Sequence, residues 1–305
     1  MADAAPGSLA AVRRRHPAQG TFLLLIGAAA VVSILITAGI VITLVEEGAG
    51  FFRDVSIVDF LTGTEWFPRN GQFGVLPLLS ASLIIAAIAA AVAVPIGLGA
   101  AIYLADYASE RVRRVVKPTL ELLAGMPTIV LGFFALDSVT PFLRSVGVLD
   151  ENQAFSALSA GIVVGVLIVP LISSLSEDAM RAVPGAMREG AYGVGATRRQ
   201  VVTRVVFPAA LSGIVASIVL GLSRAVGETM AVTLAAGGQP NLTGDITAPM
   251  QTITARIVET SRGEAARGSV EYESIFALGI MLFVVTLLVN VVAVRLVRRY
   301  RTVYH

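Results

Sequence analysis

The chain has 305 residues, 55% hydrophobic and 14% charged, with a net charge of +2. Soluble domains are about 45–50% apolar and about 25% charged, so this balance excludes an ordinary soluble protein and describes an integral membrane one. With no Cys and only two His, His16 and His305, near the chain ends, disulfides, thiolate metal sites and Cys nucleophiles are excluded and a His-built metal or catalytic centre is not expected.

A helix needs about 20 apolar residues to cross the hydrocarbon core. Residues 1–20 read as a tail carrying Arg13, Arg14 and Arg15, followed by a first span at 22–45. Its apolar run is too long for a signal peptide and lacks a clear cleavage site after it, so a retained helix is expected. The segment 21–75 thus holds the first helix and an outer stretch. A permease-like core at 76–297 holds five more spans, at 76–104, 120–143, 157–175, 209–236 and 275–294, and residues 298–305 form a second tail. Outer segments are expected at 46–75, 137–156 and 237–274, the first and last long enough for short surface helices. Pro127 and Pro170 are expected to kink their helices. Gly161 and Gly165, four apart, permit close helix approach or ordinary small-residue packing.

Basic residues set the direction. Sixteen Arg and Lys fall on the side of both tails and of the 176–208 segment, and six on the other. The basic side is cytoplasmic. The scattered short clusters are topology signals and not a nucleic-acid footprint. Lysine occurs once, as Lys117, against 22 arginines, which with the heavy Ala, Val and Gly usage suggests a GC-rich bacterial genome and a bacterial plasma-membrane location.

The 176–208 segment reads as short helices. Ser176 is a candidate N-cap, Pro184-Gly185 a break and 186–192 a helix. Gly193 and Gly195 form a turn, and Thr197 caps a helix running to Phe207. Within it stand Glu189-Gly190-Ala191, three residues, Gly195, nine residues, then Val205-Val206-Phe207-Pro208. This spacing resembles the EAA loop of ABC importer permeases, a rigid knob that docks on an ATPase. Gly190 departs from the usual Ala of that pattern but keeps a small residue there. The resemblance implies an all-α integral membrane protein of six transmembrane helices, with the type I ABC importer (MetI-like) permease fold and a cytoplasmic coupling helix. Arg188, Glu189, Gly190, Ala191, Gly195 and Pro208 are the expected ATPase-coupling residues, with Arg188 and Glu189 able to pair with the partner. No Gly-x4-Gly-Lys-Ser/Thr phosphate loop exists in the chain. It is therefore not expected to be an enzyme or to bind a cofactor, and ATP and Mg would be used by a separate ATPase subunit.

Arg224 and Glu228 are charged within an apolar segment, and at i and i+4 they share one helix face. Intramembrane ionisable residues default to a functional hypothesis. Two readings stand: a structural ion pair, or a planar donor fork that binds an oxyanion, with Glu228 accepting from a proton-bearing oxygen. Three stretches, 60–68 with Phe73-Gly74, 118–128 ending at Gly132, and 224–230, resemble the PstC-like permeases of phosphate importers. With Pro95-Ile96-Gly97-Leu98-Gly99 the resemblance covers roughly 22–301. It implies a PstA-like second permease, a PstB-like ATPase dimer, a PstS-like phosphate-binding protein, inorganic phosphate as cargo and membrane lipid around the chain. The substrate path would use Arg224, Glu228 and Thr229. Where the family often opens its second span with Gly-Thr, this chain has Ser80-Ala81-Ser82, so Ser82 or Ser80 takes that place. A sulfate or molybdate permease is the alternative within the same fold. An ion-driven carrier would need inverted repeats or charged relays, and an intramembrane hydrolase a catalytic constellation, and neither signal is visible.

Overall fold

The computed structural model describes residues 17–300 apart from Glu264, so the outermost parts of both predicted tails, with His16 and His305, lie outside the described residues. The chain divides into two units, Met1–Glu46 and Glu47–His305. In the first, helix α1, whose full bounds are Pro17–Asp54, presents exposed apolar side chains from Phe22 to Val45. Its hydroxyls turn inward on the helix itself: Thr37 donates to the Ser33 carbonyl at 2.9 Å and Thr43 to that of Gly39 at 3.0 Å. A lipid-facing helix must satisfy its polar groups in this way, because no water is available to them.

The second unit opens with a small aromatic module. Helix α2 (Ile57–Thr62) leads into a hairpin of β1 (Trp66–Phe67) and β2 (Gln72–Phe73), antiparallel, with Trp66 opposite Phe73. Gly71 closes the turn at φ +73°, a conformation that suits glycine. Phe51, Phe52, Phe60, Trp66 and Phe73 pack edge-to-face with centroids 5.2–6.4 Å apart, the geometry that aromatic quadrupoles favour.

Helix α3 (Leu76–Ile102) then continues into a π turn at Tyr103–Tyr107. It packs along α7 (Ala157–Arg181), and this is the central seam of the unit. Small residues set the spacing. A Cβ added to Gly161 would lie 2.6 Å from the Cβ of Ile88, and one on Gly165 would lie 2.9 Å from that of Val92 and 3.0 Å from the Ala89 carbonyl oxygen. With little hydrophobic gain available between lipid-embedded helices, close backbone approach and van der Waals contact hold such a seam. Helix α10 (Phe207–Val226) packs on α7, α3 and α13 (Val270–Tyr300), and α12 (Ile253–Arg262) on α13.

Among the described residues, five helices are long and apolar enough to cross a membrane, and a bent pair brings the number to six. That pair corrects the span expected at 120–143. Helix α4 (Glu110–Ala124) stops at Gly125, and the chain turns by 90° into 128–145. The second limb comprises α5 (Thr128–Phe134), a π turn at Ala135–Val139 and α6 (Thr140–Ser145). The apolar run spills into the end of α4, but α4 also carries Arg111, Arg113, Arg114 and Lys117. Pro127 fixes φ and disfavours helix at Met126, so the break falls there and not at the hydropathy edge. Pro170, by contrast, lies inside an unbroken α7.

The span expected at 209–236 is also interrupted. Helix α10 ends at Val226, Gly227 follows as its C-cap, and a short α11 (Met230–Ala235) starts after Thr229 and packs on α5. Ser176 is not an N-cap: α7 runs through it, and its hydroxyl lies 2.7 Å from that of Ser217 on α10.

Candidate functional site

The loop bearing Glu189 leaves α7 at Arg181 and forms α8 (Gly185–Gly193). The chain turns at Gly195, with φ +84°, and re-enters through α9 (Arg198–Val201). Thr197 starts α9 with a capping box: its hydroxyl accepts from the Gln200 N–H, and the Gln200 side chain accepts from the Thr197 N–H. That reciprocal pair satisfies two backbone donors that a helix start leaves open. A π turn at Val202–Val206 joins α9 to α10 without a break at Pro208. The wider turn accommodates a ring that removes one backbone donor.

One side of this loop is packed and the other is bare. Met187 and Ala191 sit against a cluster with Ala101, Ile102 and Ala105 at the end of α3. Glu189, Gly190 and Gly195 are exposed, Tyr192 is 47% exposed and Val194 85%. Space beyond Gly190 is open, so nothing among the described residues demands glycine there. Pro208 is half-buried at the start of α10.

Arg188 faces inward. Its guanidinium meets the Asp106 carboxylate and donates to the Met180 carbonyl at 2.8 Å. Arg198 donates to the Asp106 backbone carbonyl and stands 4.9 Å over the Tyr107 ring. Asp106 belongs to the π turn that ends α3. A second ionic cluster sits at the end of α7. Glu177, fully buried, accepts from Arg113 Nε and Lys117 Nζ, each at 2.7 Å, while Lys117 also reaches Asp178 at 2.6 Å. Burial acts to lower the Lys117 pKa, but hydrogen bonds and charge from Asp178 and Glu177 outweigh it, and the ammonium is held above its ordinary value. Sequence reasoning missed Asp106 and Glu177. Nothing local marks either one, because their partners lie 82 and about 60 residues away.

The expected substrate-path residues do not form one cluster. Arg224 is on α10, exposed, with neither hydrogen bond nor ion pair among the described residues. Glu228 is not on the same helix face, because α10 has already ended. It is buried, and its carboxylate accepts from the Ala231 N–H at 3.3 Å at the start of α11. Its own carbonyl accepts from Thr254 at 2.8 Å. An Arg224–Glu228 ion pair is therefore absent among the described residues. The i, i+4 argument failed because it assumed a helix through Gly227. Thr229 is half-buried and bonds back to the Gly227 carbonyl at 3.1 Å. Ser82 is buried and engaged. It donates to the Leu78 carbonyl at 2.8 Å and accepts from the Ile253 N–H at 3.1 Å, fixing the first turn of α12 to α3. Ser80 bonds to the Pro77 carbonyl at 2.9 Å.

At the end of α3 remote from the Glu189 loop lies a cavity of about 650 Å³, lined by Trp66, Arg69, Arg256, Glu259, Thr260 and Glu271 among others. Arg256 stands between Glu259 and Glu271, 3.3 Å from each.

Residues 93–302 match the family described as "Binding-protein-dependent transport system inner membrane component". The chain is 34% identical to the "Phosphate transport system permease protein PstC" of Mesorhizobium japonicum, over 93% of this chain and 91% of that one. It is 34% identical to the "Phosphate transport system permease protein PstC 1" of Mycobacterium tuberculosis, over 90% and 91%. To the "Probable ABC transporter permease protein YqgH" of Bacillus subtilis it is 34% identical over 87% and 86%. Among solved structures, it resembles a chain of a bacterial ABC transporter that imports alginate (TM-score 0.66, 18% identity, 92% and 96% covered). It also resembles a chain of the inward-facing MetNI methionine ABC transporter (TM-score 0.55, 20% identity, 75% and 95% covered). At such identities these structures speak for the fold alone.

Proposed function

The chain belongs to the family of binding-protein-dependent transport system inner membrane components, and from that premise we propose that it is the permease subunit that carries inorganic phosphate in an ATP-driven importer. The observation that supports this most is identity of 34% across about nine-tenths of the chain with permeases named for phosphate transport. The physical counterpart is Arg224. A guanidinium on an apolar helix, free of any carboxylate among the described residues of its own chain, offers two parallel donors to an oxyanion. Its exposed position is open to a second permease and to a path between the two. Glu228, whose carboxylate accepts from the Ala231 N–H at the start of α11, orients that helix beside the break and stays with Arg224 as a path residue in this reading. Thr229, beside the break, stays a path residue in this reading, and Ser82 acts behind the wall as the tie between α12 and α3.

The partners follow from the mechanism. An ATPase dimer grips Glu189, Gly190 and the exposed tip at Tyr192–Val194, with Ala191 anchoring the loop inward and Gly195 and Pro208 shaping it. ATP and Mg are consumed there. A phosphate-binding protein delivers cargo to the opposite face, which bears the Trp66–Arg256 cavity, and a PstA-like permease completes the path. Both termini and the Glu189 loop face the cytoplasm of a bacterium, as the arginine bias requires.

The test is phosphate, sulfate and molybdate uptake by the assembled importer, with this chain unmutated or carrying Arg224→Gln. Loss of a charged hydrogen-bonding partner is worth about 1.5–3 kcal/mol, so phosphate uptake should fall about tenfold to a hundredfold at unchanged membrane levels. Normal uptake by Arg224→Gln removes Arg224 from the path. Transport of sulfate or molybdate in place of phosphate by the unmutated importer overturns the substrate assignment.

A further inference from the structure

The Glu189 loop is moved by its partner, yet a loop on flexible connections would absorb a push. What makes it a lever is the joint between α8 and the end of α3. Three contacts converge there. The Arg188 guanidinium bridges the Asp106 carboxylate on α3's π turn and the Met180 carbonyl on α7. Arg198, across the loop, holds the Asp106 backbone carbonyl and covers Tyr107. Met187 and Ala191 of α8 pack against the same hydrophobic cluster as Ala101 and Ile102 of α3 and Ala105 of its π turn. The Asp106 side chain is only 5% exposed, so its pairing is shielded from solvent and little weakened by salt.

We propose that Asp106 is the positioning residue that makes α8 and α3 move as one body, so that displacement of the Glu189 loop by the ATPase reaches the membrane-spanning part of α3 directly. Connection through α7 and α10 alone would let the loop tilt about its two ends at Arg181 and Thr197. The joint closes that freedom from the third side. The π turn at Tyr103–Tyr107 allows the spanning helix to present Asp106 toward the loop, and a widened turn of this kind is frequent at functional positions. Arg188 therefore acts within this chain, as the strut that joins the loop to the membrane helix. The inference rests on the coupling role proposed for the loop, and it is independent of which anion is carried.

Two measurements on the assembled complex test it. The first is phosphate taken up per ATP hydrolysed, in proteoliposomes with the partner permease, ATPase and binding protein. Asp106→Asn should lower that ratio about tenfold, the scale of a typical coupling free energy. The exchanged pair Asp106→Arg with Arg188→Asp should recover part of it. A purely structural role would reduce the amount of complex and leave the ratio of the surviving complex intact, and that outcome overturns the proposal. The second readout needs no transported anion. The chain has no cysteine, so spin labels at the exposed positions Ile96→Cys on α3 and Ala186→Cys on α8, with partner subunits free of reactive cysteine, report the α3–α8 distance. In the otherwise unmutated complex the distance should stay the same between nucleotide-free and vanadate-trapped ATPase, and in Asp106→Asn it should change. A change in the unmutated complex breaks the rigid-body reading even where phosphate uptake is normal. If the unmutated complex carries no phosphate, the functional assignment fails and the distance measurement still decides the joint.

Discussion

At the residue scale the ionic groups divide into those consumed within the chain and those left over. Glu177 is the most thoroughly consumed, fully buried between Arg113 and Lys117. Removing one member of such a buried cluster leaves uncompensated charge and costs about 3–5 kcal/mol. Glu177→Ala should therefore lower the thermal stability of the detergent-purified complex by several degrees and free α4 to proteolysis, while Asp178→Ala, at an exposed site, should change little. The raised Lys117 pKa gives the sign of the pH response. Its contribution is complete below the ordinary value of 10.5 and is lost only as pH rises through the higher folded value, so melting curves between neutral and mildly alkaline pH should show no loss from this cluster. Arg224 is the opposite case, a charge with no partner among the described residues of its own chain. Its candidacy for a functional role was legible from sequence because a charge in an apolar run is costly wherever it lies. The proposed link to Glu228 was not, because the helix end at Val226 depends on packing around Gly227 and α11.

At the element scale, glycine spacing decides how closely helices approach. Gly165 and Gly99 are both in membrane-spanning helices, but a methyl at Gly165 would press on Val92 and Ala89, whereas one at Gly99 meets nothing within 4 Å. Gly165→Ala should destabilise the α3–α7 seam by about 1–3 kcal/mol through overpacking. Gly99→Ala should be neutral or slightly stabilising, since alanine is the better helix former. Thermal denaturation of the two variants side by side reads the difference, and equal melting would refute this account of the seam. The Gly161-xxx-Gly165 spacing was visible in the chain, but the face it presents and the partner it meets were not. The same holds for the third span. Pro127 announced a disturbance, yet the 90° turn and the release of α4 to clasp Glu177 depend on contacts with α7.

At the scale of the whole molecule, arginine distribution predicts which face meets the cytoplasm, and the absence of native cysteine makes that easy to check. A single Val194→Cys, at a position 85% exposed, should react with a membrane-impermeant thiol reagent only in inverted vesicles and be shielded when the ATPase assembles. Arg69→Cys, beside the cavity, should react only in intact cells or spheroplasts. The reverse pattern would invert the topology and remove the coupling role of the loop. By itself the sequence determined the membrane class, the rough places of the apolar segments and the helix–turn–helix form of the Glu189 loop, because these follow from apolar length and from spacing along one chain. The helix cap at Thr197 and the turn at Gly195 were legible for the same reason. Only the tertiary structure decided where spans break, that Arg188 turns inward to Asp106, and that Arg224 has no ion-pair partner among the described residues while the Glu228 carboxylate accepts from the Ala231 N–H. Each of these depends on which groups from distant parts of the chain arrive to satisfy a buried charge or an open backbone donor, and local sequence carries no record of that arrival.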